Sequence, residues 1–366
     1  MHPQSRQPRR DGPRAGLAIL FFVGLAVIGI AATRAGSAQQ TTPPITQQAA
    51  RQTTELRLVS TPWPPFTDPP GQPRFALDLV EAALGRSGIG VTTTIVEPAR
   101  FSDSLLSGEF DGSGSAWKND ERERVLLFSQ PYLENRLILI GRKGADVAAP
   151  TLVALHDKKI AVVEGYAYGD IDKLGPVFVR THSEEDSLSQ LLNGKVDYVL
   201  MDELVVQYLT SHYEKQAKTK LAVGSTALLI RPLHLAVRKS LPDAESIISR
   251  FNSQLRNMIV DRTYHRLLHV TWIRADIDGD GVEEFVPLID ETGPTAPKGA
   301  YSLFTERAPQ TPTVPEMTKP GFYVGGTIYP DWAAVPAKYK TPSSPIFVET
   351  LDPAQNTASI FKFIWK

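Results

Sequence analysis

The alternation of short strands and helices constrains the fold of this chain more than any other feature of its sequence. An apolar strand near Leu56 is followed by a helix with one apolar face over residues 75–84 and by a β-branched strand over residues 91–96. The same alternation returns between residues 160 and 202. Alternating strands and helices are typical of mostly parallel sheets covered by helices, so we expect two α/β units.

Two apolar stretches separate these units. One covers residues 137–140, and the other covers residues 228–237. Because the chain leaves the first unit at one strand and returns at the other, the second unit interrupts the first. We therefore predict that residues 55–140 and 228–272 form lobe 1 and that residues 141–227 form lobe 2.

Length and composition are those of an ordinary globular protein with more than one domain. The chain has 366 residues, too many for one ordinary core, with 42% apolar residues and a net charge of −1. It has no basic stripe interleaved with aromatic residues, which argues against nucleic acid as a partner. It also has no Cys, so disulfides, thiol nucleophiles and Cys-ligated metals are excluded.

The amino-terminal residues follow the order of a secretory signal peptide. Four arginines precede an apolar run over residues 17–32, and Gly36 and Ala38 stand at the −3 and −1 positions of a cut before Gln39. We expect residues 1–38 to be removed. An uncleaved membrane anchor is the alternative, although the run is short for a span of roughly 20 residues.

The predicted export has two consequences for the mature protein. Residues 39–54 are rich in Gln, Thr and Pro, and we expect them to form a disordered leader. No Cys is present to carry an amino-terminal lipid. The periplasm of a double-membraned bacterium is therefore the expected location.

Seven short motifs add a more specific signal, in a fixed order between residues 55 and 272. They are WPPF (63–66), FALDL (75–79), LSGEFD (106–111), WKNDERERVLLFSQPY (117–132), LLNGKVDYVLMD (191–202), PLHLAVR (232–238) and FN (251–252). This order resembles the family 3 periplasmic solute-binding proteins, which include amino-acid receptors. The resemblance implies an α/β, two-lobed type II periplasmic binding protein fold with two crossover strands, to which this chain adds a small carboxy-terminal extension.

The resemblance also implies roles for three polar residues. Arg122 matches the arginine that grips the ligand carboxylate, a group that Arg binds with two parallel hydrogen bonds. Asp202 matches the acid that receives the ammonium group, and Asn119 stands where the family usually has a threonine. The alternatives are a solvated arginine in a charged turn and a helix N-cap at Asp202. Arg124 is a substitute candidate for Arg122.

Aromatic residues are expected to wall the same pocket, since rings suit the apolar or cationic part of a ligand. The best-placed rings are those of Trp63, Trp117, Tyr166 and Tyr168. Tyr166 departs from the family, which usually has a threonine there, and Ser60 and Thr61 stand where the family usually has an acid. These departures leave room for a bulkier ligand than a common amino acid, and the alternative for each ring is an ordinary core or rim position.

An acidic loop over residues 273–286 has the spacing of a calcium site. Oxygen ligands at positions 1, 3, 5, 7 and 9 suit Ca²⁺, and two glycines permit the sharp turn. The corresponding residues are Asp276, Asp278, Asp280, Val282 (through its carbonyl) and Glu284. The loop lacks the glutamate that a full EF-hand has at position 12. We expect a structural Ca²⁺ here and no required cofactor, with a plain acidic turn as the alternative.

The rest of the chain, residues 287–366, starts as a Pro- and Thr-rich linker. Aromatic residues return over residues 323–332 and 346–365, which predicts a small β-rich appendage. The sequence assigns no function to it.

The expected function is capture of a small polar solute, an amino acid or a relative, for an ABC permease in the inner membrane, with no catalytic residues. The alternative is an enzyme on the same fold, similar to the cyclohexadienyl dehydratases, with Glu164 or Asp202 as the proton donor. Lytic transglycosylases also carry such a domain, but their catalytic signature is missing here. A sensor ectodomain would need a membrane span downstream, and the sequence shows no such run.

Overall fold

The computed structural model describes residues 54–297, 300–303, 320–341 and 361. The predicted signal peptide, the predicted leader up to residue 53 and much of the predicted appendage lie outside these residues. No helix within the described ranges combines the length and the apolar composition that a bilayer crossing needs.

Lobe 1 begins with strands joined by helices. Its first seven elements are β1 (Thr54–Ser60), α1 (Phe75–Arg86), β2 (Ile89–Ile95), α2 (Pro98–Ser107), β3 (Gly112–Trp117), α3 (Asp120–Val125) and β4 (Leu126–Phe128). Helix α1 buries Ala76, Leu79 and Val80 on the side that packs on β2 and β3. Helix α2 begins at Pro98, where a missing N–H costs nothing, and ends before Gly108, which adopts a left-handed conformation.

The chain crosses into lobe 2 by β5 (Leu133–Arg142) and returns by β10 (Leu229–Arg238). Between them lie β6 (Lys159–Val163), β7 (Val177–Thr181), α4 (Glu184–Leu192), β8 (Tyr198–Asp202), α5 (Glu203–His212), α6 (Glu214–Lys220) and β9 (Leu221–Val223). After the return, α7 (Ala244–Val260) and α8 (Thr263–Leu268) pack on α1 of lobe 1.

One ten-stranded sheet runs through both lobes. Its order is β2-β1-β3-β10-β5-β8-β6-β7, with β4 paired to β10 and β9 paired to β5. Strands β5 and β10 are antiparallel neighbours, with Leu133 opposite Leu233 and Leu137 opposite Leu229. The lobes are therefore joined by two crossover strands, as the fold class predicts. The residues at which each lobe begins and ends stay predictions.

A second sheet follows α8 and begins earlier than the predicted appendage. Its strands are β11 (Trp272–Ala275), β12 (Glu284–Pro287), β13 (Tyr301–Ser302), β14 (Phe322–Val324) and β15 (Thr327–Tyr329), in the order β13-β11-β12-β14-β15. Its buried core consists of Phe322, Val324 and Val335. The partly buried rings of Trp272, Phe285 and Trp332 pack against this core, and the ring centroids of this group lie 5.2 to 6.5 Å apart. Strands β11 and β12 are antiparallel neighbours, so the acidic loop between them connects two strands of the small sheet.

Candidate functional site

Helix α3 determines which of the two candidate arginines faces the cleft between the lobes. The side-chain oxygen of Asn119 caps the helix and accepts a hydrogen bond from the Arg122 N–H at 2.9 Å. The helix then turns Arg122 inward, where it is only 2% exposed, and leaves Arg124 exposed. The structure therefore favours Arg122 over Arg124, and it gives Asn119 a local role in orienting the turn.

The guanidinium of Arg122 connects the two lobes. In lobe 1 it donates to the Trp117 carbonyl at 2.9 Å and to the Ser102 hydroxyl at 3.3 Å. In lobe 2 it donates to the Gly165 carbonyl at 3.0 Å. Burial lowers the pKa of Arg122 to about 10, and its Nε has no hydrogen-bond partner among the described residues. A buried cation held by neutral groups is suited to receive an anion.

Asp202 faces the cleft from lobe 2, at the end of β8. Its Oδ1 caps helix α5 by accepting a hydrogen bond from the Leu204 N–H at 2.7 Å, whereas its Oδ2 has no partner within the described ranges. Burial raises the pKa of Asp202 to about 7, and the side chain of Asn135 on β5 opposes this shift. The two predicted roles of Asp202 are therefore compatible, because one oxygen caps the helix and the other remains for a ligand.

The four predicted rings meet across the cleft. Trp63 and Trp117 come from lobe 1, Tyr166 and Tyr168 come from lobe 2, and neighbouring ring centroids lie 5.4 to 6.1 Å apart. The remaining cavity beside Arg122 measures about 20 Å³, which is room for about one water molecule. Tyr166 therefore has to move away from the tryptophans before a solute can enter.

Gly165 makes this arrangement of the turn accessible. Its backbone has a φ of +80°, a conformation that residues other than glycine rarely adopt. A Cβ at this position would lie 3.1 Å from the Pro98 carbonyl oxygen. The glycine thus brings the second-lobe turn close to lobe 1, where its own carbonyl reaches Arg122. Because Tyr166 is the next residue of this turn, its ring also lies against Trp63 and Trp117.

Glu184 is a cleft residue that the sequence did not single out. It is the first residue of α4, directly after the N-cap Ser183, and it is only 6% exposed. Burial raises the pKa of Glu184 to about 8, the nearby charge of Asp202 raises it further, and the Trp63 indole opposes the shift. Acidic residues are common in the first turn of a helix, so nothing in the local pattern indicated that this one is buried.

Six of the thirteen buried side-chain atoms that lack a hydrogen-bond partner among the described residues belong to this cleft. Within the described part of the chain they include Thr61 Oγ1, Trp63 Nε1, Arg122 Nε, Asn135 Nδ2, Glu184 Oε2 and Asp202 Oδ2. Folded proteins leave few such atoms unpaired, because each one costs desolvation energy. A group of both donors and acceptors between two lobes therefore offers hydrogen-bonding partners to a polar solute.

The acidic loop brings together three of its five predicted calcium ligands. Carboxylate oxygens of Asp276, Asp278 and Glu284 all lie within 4.8 Å of one another, and Asp280 is outside this group. Burial raises the pKa of Glu284, and the neighbouring aspartates raise it further. Backbone N–H groups already bind some of these oxygens, including that of Gly279 to Asp276 Oδ1 at 2.6 Å. The calcium site, including Asp280 and the Val282 carbonyl, stays a prediction.

Two α/β lobes that share a pair of crossover strands and carry polar groups on facing walls are the architecture of two-lobed solute-binding proteins. Residues 57–274 match the family model of the bacterial extracellular solute-binding proteins, family 3, and the chain belongs to that family. The resemblance read from the sequence motifs is thereby confirmed.

Curated relatives are similar over part of their length. The L-cystine-binding protein TcyJ of Escherichia coli is 28% identical over 162 residues, which cover 43% of this chain and 58% of that protein. The ABC transporter arginine-binding protein 1 of Escherichia coli is 25% identical over 217 residues, or 57% of this chain and 86% of that protein. The virulence sensor protein BvgS of Bordetella pertussis is 26% identical over 160 residues, only 12% of its length.

A solved structure supports the fold. The ligand-binding core of GluR0 in complex with L-glutamate has a TM-score of 0.51, with 18% sequence identity, and the match covers 59% of this chain and 97% of that one. At this identity the likeness concerns the fold alone. It confirms the two-lobed fold class.

Proposed function

We propose that this protein is a receptor that closes its lobes around an amino acid or a related solute and presents it to an ABC permease in the inner membrane. One observation carries the proposal: Arg122 in lobe 1 and Asp202 in lobe 2 are both buried, and each has an unpaired polar atom among the described residues. Together they complement the carboxylate and the ammonium group of one zwitterion.

The relatives support this proposal. TcyJ is named for binding L-cystine, and the second Escherichia coli relative is named as an arginine-binding protein of an ABC transporter. The match covers only 58% of TcyJ, so the ligand class and the permease partner are proposals for this chain.

We propose a binding role rather than catalysis. The curated relatives named above are binding or sensor proteins. Of the two proton donors considered for a dehydratase, Glu164 is exposed and is therefore a poor pocket acid. Asp202 is buried, but its carboxylate can bind the ammonium group of a zwitterion as well as it can donate a proton.

A thermal-shift screen with common L-amino acids tests the proposed function. A ligand that binds only the native state adds about 2.7 kcal/mol of stability at one hundred times its Kd, so a true ligand should raise the Tm by several degrees. The corresponding amino-acid amides, which lack the carboxylate for Arg122, should have little effect. A screen in which no amino acid raises the Tm, or in which the amides act equally, would contradict the proposal.

The proposed place of action is the periplasm. Members of the family are extracellular solute-binding proteins, and the amino-terminal pattern predicts cleavage before Gln39. These amino-terminal residues lie outside the described part of the structure. Amino-terminal sequencing of the exported protein should give a sequence that begins at or near Gln39. Retention of the preceding apolar run would contradict cleavage.

Calcium is expected to stabilise the acidic loop. The clustered oxygens of Asp276, Asp278 and Glu284 repel one another unless a cation lies between them. Calcium modules outside cells bind at about 10⁻⁴–10⁻³ M, so millimolar Ca²⁺ should raise the Tm more than equal Mg²⁺, which prefers a rigid octahedron. The Asp278→Ala variant should lose this difference, whereas Glu109→Ala, an exposed acid of lobe 1, should keep it. An identical melting curve in Ca²⁺ and in EDTA would show that the loop is a plain acidic turn without a calcium site.

A further inference from the structure

A second cavity, of about 680 Å³, lies outside the cleft. Its walls come from lobe 1 with α8, from helix α5 of lobe 2 and from the small sheet, and they include Phe75, Leu268, Leu204, Tyr208 and Ser302. Pockets that hold small organic molecules measure about 300–1,000 Å³ and combine apolar walls with a few placed polar groups. The second cavity has the size of a ligand site, and part of its wall lies beyond residues 57–274, which match the family.

The crossover strand β5 separates the second cavity from the cleft. Successive side chains of a strand point to opposite faces of the sheet. Asn135 of β5 faces the cleft, where its Oδ1 accepts a hydrogen bond from Trp117 Nε1 at 2.7 Å. Its neighbours Glu134 and Arg136 therefore point to the other face, and both line the second cavity. The second cavity is thus a separate site and does not continue the cleft.

The arginines and glutamates that line the second cavity already have partners. Arg136 donates hydrogen bonds to Glu134 and Glu203, at 3.1 Å in both cases. Arg274 Nε lies 3.6 Å from a carboxylate oxygen of Glu283. A charged ligand would have to compete with these pairs, because burying a charge without a partner is costly. The lining therefore favours an uncharged ligand.

Two neutral polar atoms of α5, the Tyr208 hydroxyl and His212 Nε2, have no hydrogen-bond partner among the described residues. Both residues line the second cavity, and their ring centroids lie 4.1 Å apart. His212 Nδ1 lies 2.9 Å from the Tyr208 carbonyl oxygen, which can only accept, so Nδ1 carries a hydrogen. In the neutral ring Nε2 is then an acceptor. A ligand with a hydrogen-bond donor would satisfy it.

We propose that the second cavity is a ligand site for an uncharged organic compound with an apolar body and a hydrogen-bond donor, and that this compound stabilises the closed lobes. Walls such as Phe75 and Leu268 bind the apolar body, and His212 accepts from the donor. The compound contacts both lobes in the arrangement in which Arg122 reaches the Gly165 carbonyl across the cleft. A ligand that fits this arrangement shifts the population of lobes towards it.

Fluorescence titrations of the full-length mature protein with two related probes test the site and its chemical class. N-Phenylnaphthylamine is uncharged and carries one N–H donor, and anilinonaphthalene sulfonate has the same rings and N–H with an added anionic group. We expect the uncharged probe to bind at a single saturable site. It should bind at least about tenfold more tightly than the sulfonate, because the arginines of the lining are already paired.

Three variants locate the bound probe. Gln207→Trp adds a large ring to the wall of the second cavity and should weaken binding by about tenfold or more. His212→Phe keeps a ring against Tyr208 but removes the acceptor, so it should weaken binding by about two- to tenfold, the effect of one hydrogen bond. Thr219→Trp adds the same ring at an exposed position of α6 outside the lining and should bind the probe as the wild-type protein does. Circular dichroism checks that each variant is folded.

The stabilisation of the closed lobes has its own measurement, and this part of the inference rests on the proposed function. Saturating N-phenylnaphthylamine should tighten the binding of the amino acid found by the screen by about fivefold or more. By linkage, the amino acid should tighten the binding of the probe by the same factor. Gln207→Trp should lose this coupling.

Each part of the inference has a result that would overturn it. The site is wrong if the uncharged probe shows no saturable binding, or if Gln207→Trp binds it as tightly as the wild-type protein. The uncharged class is wrong if the sulfonate binds as tightly or more tightly. The link to closure is wrong if the probe leaves the amino-acid affinity unchanged. Failure of the proposed function is distinguishable from these results, because the probe titrations require no amino acid.

Discussion

Replacing Arg122 with alanine is expected to weaken the binding of any carboxylate ligand strongly. The guanidinium is buried, and neutral groups of both lobes hold it in place, so its loss leaves the ligand carboxylate desolvated and unpaired. Truncating one member of such a pair costs about 2–5 kcal/mol, or roughly 30-fold to several-thousand-fold in affinity. Titration calorimetry with the ligand found by the screen measures this loss.

Two further substitutions make the Arg122 result interpretable. Arg124→Ala removes an exposed cation from the same helix and should leave the affinity within about threefold, because water and salt screen exposed charges. Arg122→Lys keeps the charge but loses the two-pronged geometry, so its affinity should lie between those of the wild-type protein and Arg122→Ala. Circular dichroism checks that each variant is folded. Less than a tenfold loss in folded Arg122→Ala would show that the carboxylate binds elsewhere.

The Asp202→Asn variant is expected to discriminate between ligands with and without an ammonium group. Asparagine caps helices about as well as aspartate, so α5 should keep the cap that Asp202 Oδ1 now provides to the Leu204 N–H. The variant loses the negative charge that faces the ligand ammonium. We expect an amino acid to bind about 30-fold or more weakly, and the α-hydroxy acid of the same side chain to bind nearly as before.

The pH dependence of binding checks the same residue. Burial raises the pKa of Asp202 to about 7, so protonation removes its charge as the pH falls below that value. The amino-acid affinity of the wild-type protein should therefore decline from pH 8 to pH 5, and that of Asp202→Asn should decline less. Equal loss of amino acid and hydroxy acid in Asp202→Asn would mean that Asp202 acts only as a helix cap.

Local sequence patterns were sufficient for the fold class. Alternating strands and helices predicted the covered sheet, and the apolar stretches at residues 137–140 and 228–237 predicted the crossover strands that the structure shows as β5 and β10. The patterns indicated α5 only through the alternative role of Asp202 as a helix N-cap, and they did not predict α6, whose N-cap residue Tyr213 makes no side-chain capping hydrogen bond.

Some features of the candidate site could also be predicted from the sequence, and others depended on the tertiary structure. The family resemblance carried by the sequence motifs assigned Arg122 and Asp202 to one pocket, and the four aromatic residues were predicted as its walls. Only the tertiary structure decided that Glu184 is buried in the cleft and that Arg122 reaches the Gly165 carbonyl, 43 residues away along the chain. Such contacts depend on how the two lobes face each other, and that geometry is set by the pairing of β5 with β10 rather than by the residues next to either partner. A carboxylate in the first turn of a helix has the same sequence pattern whether it faces solvent or a cleft, so its charge could be read from the sequence but its surroundings could not.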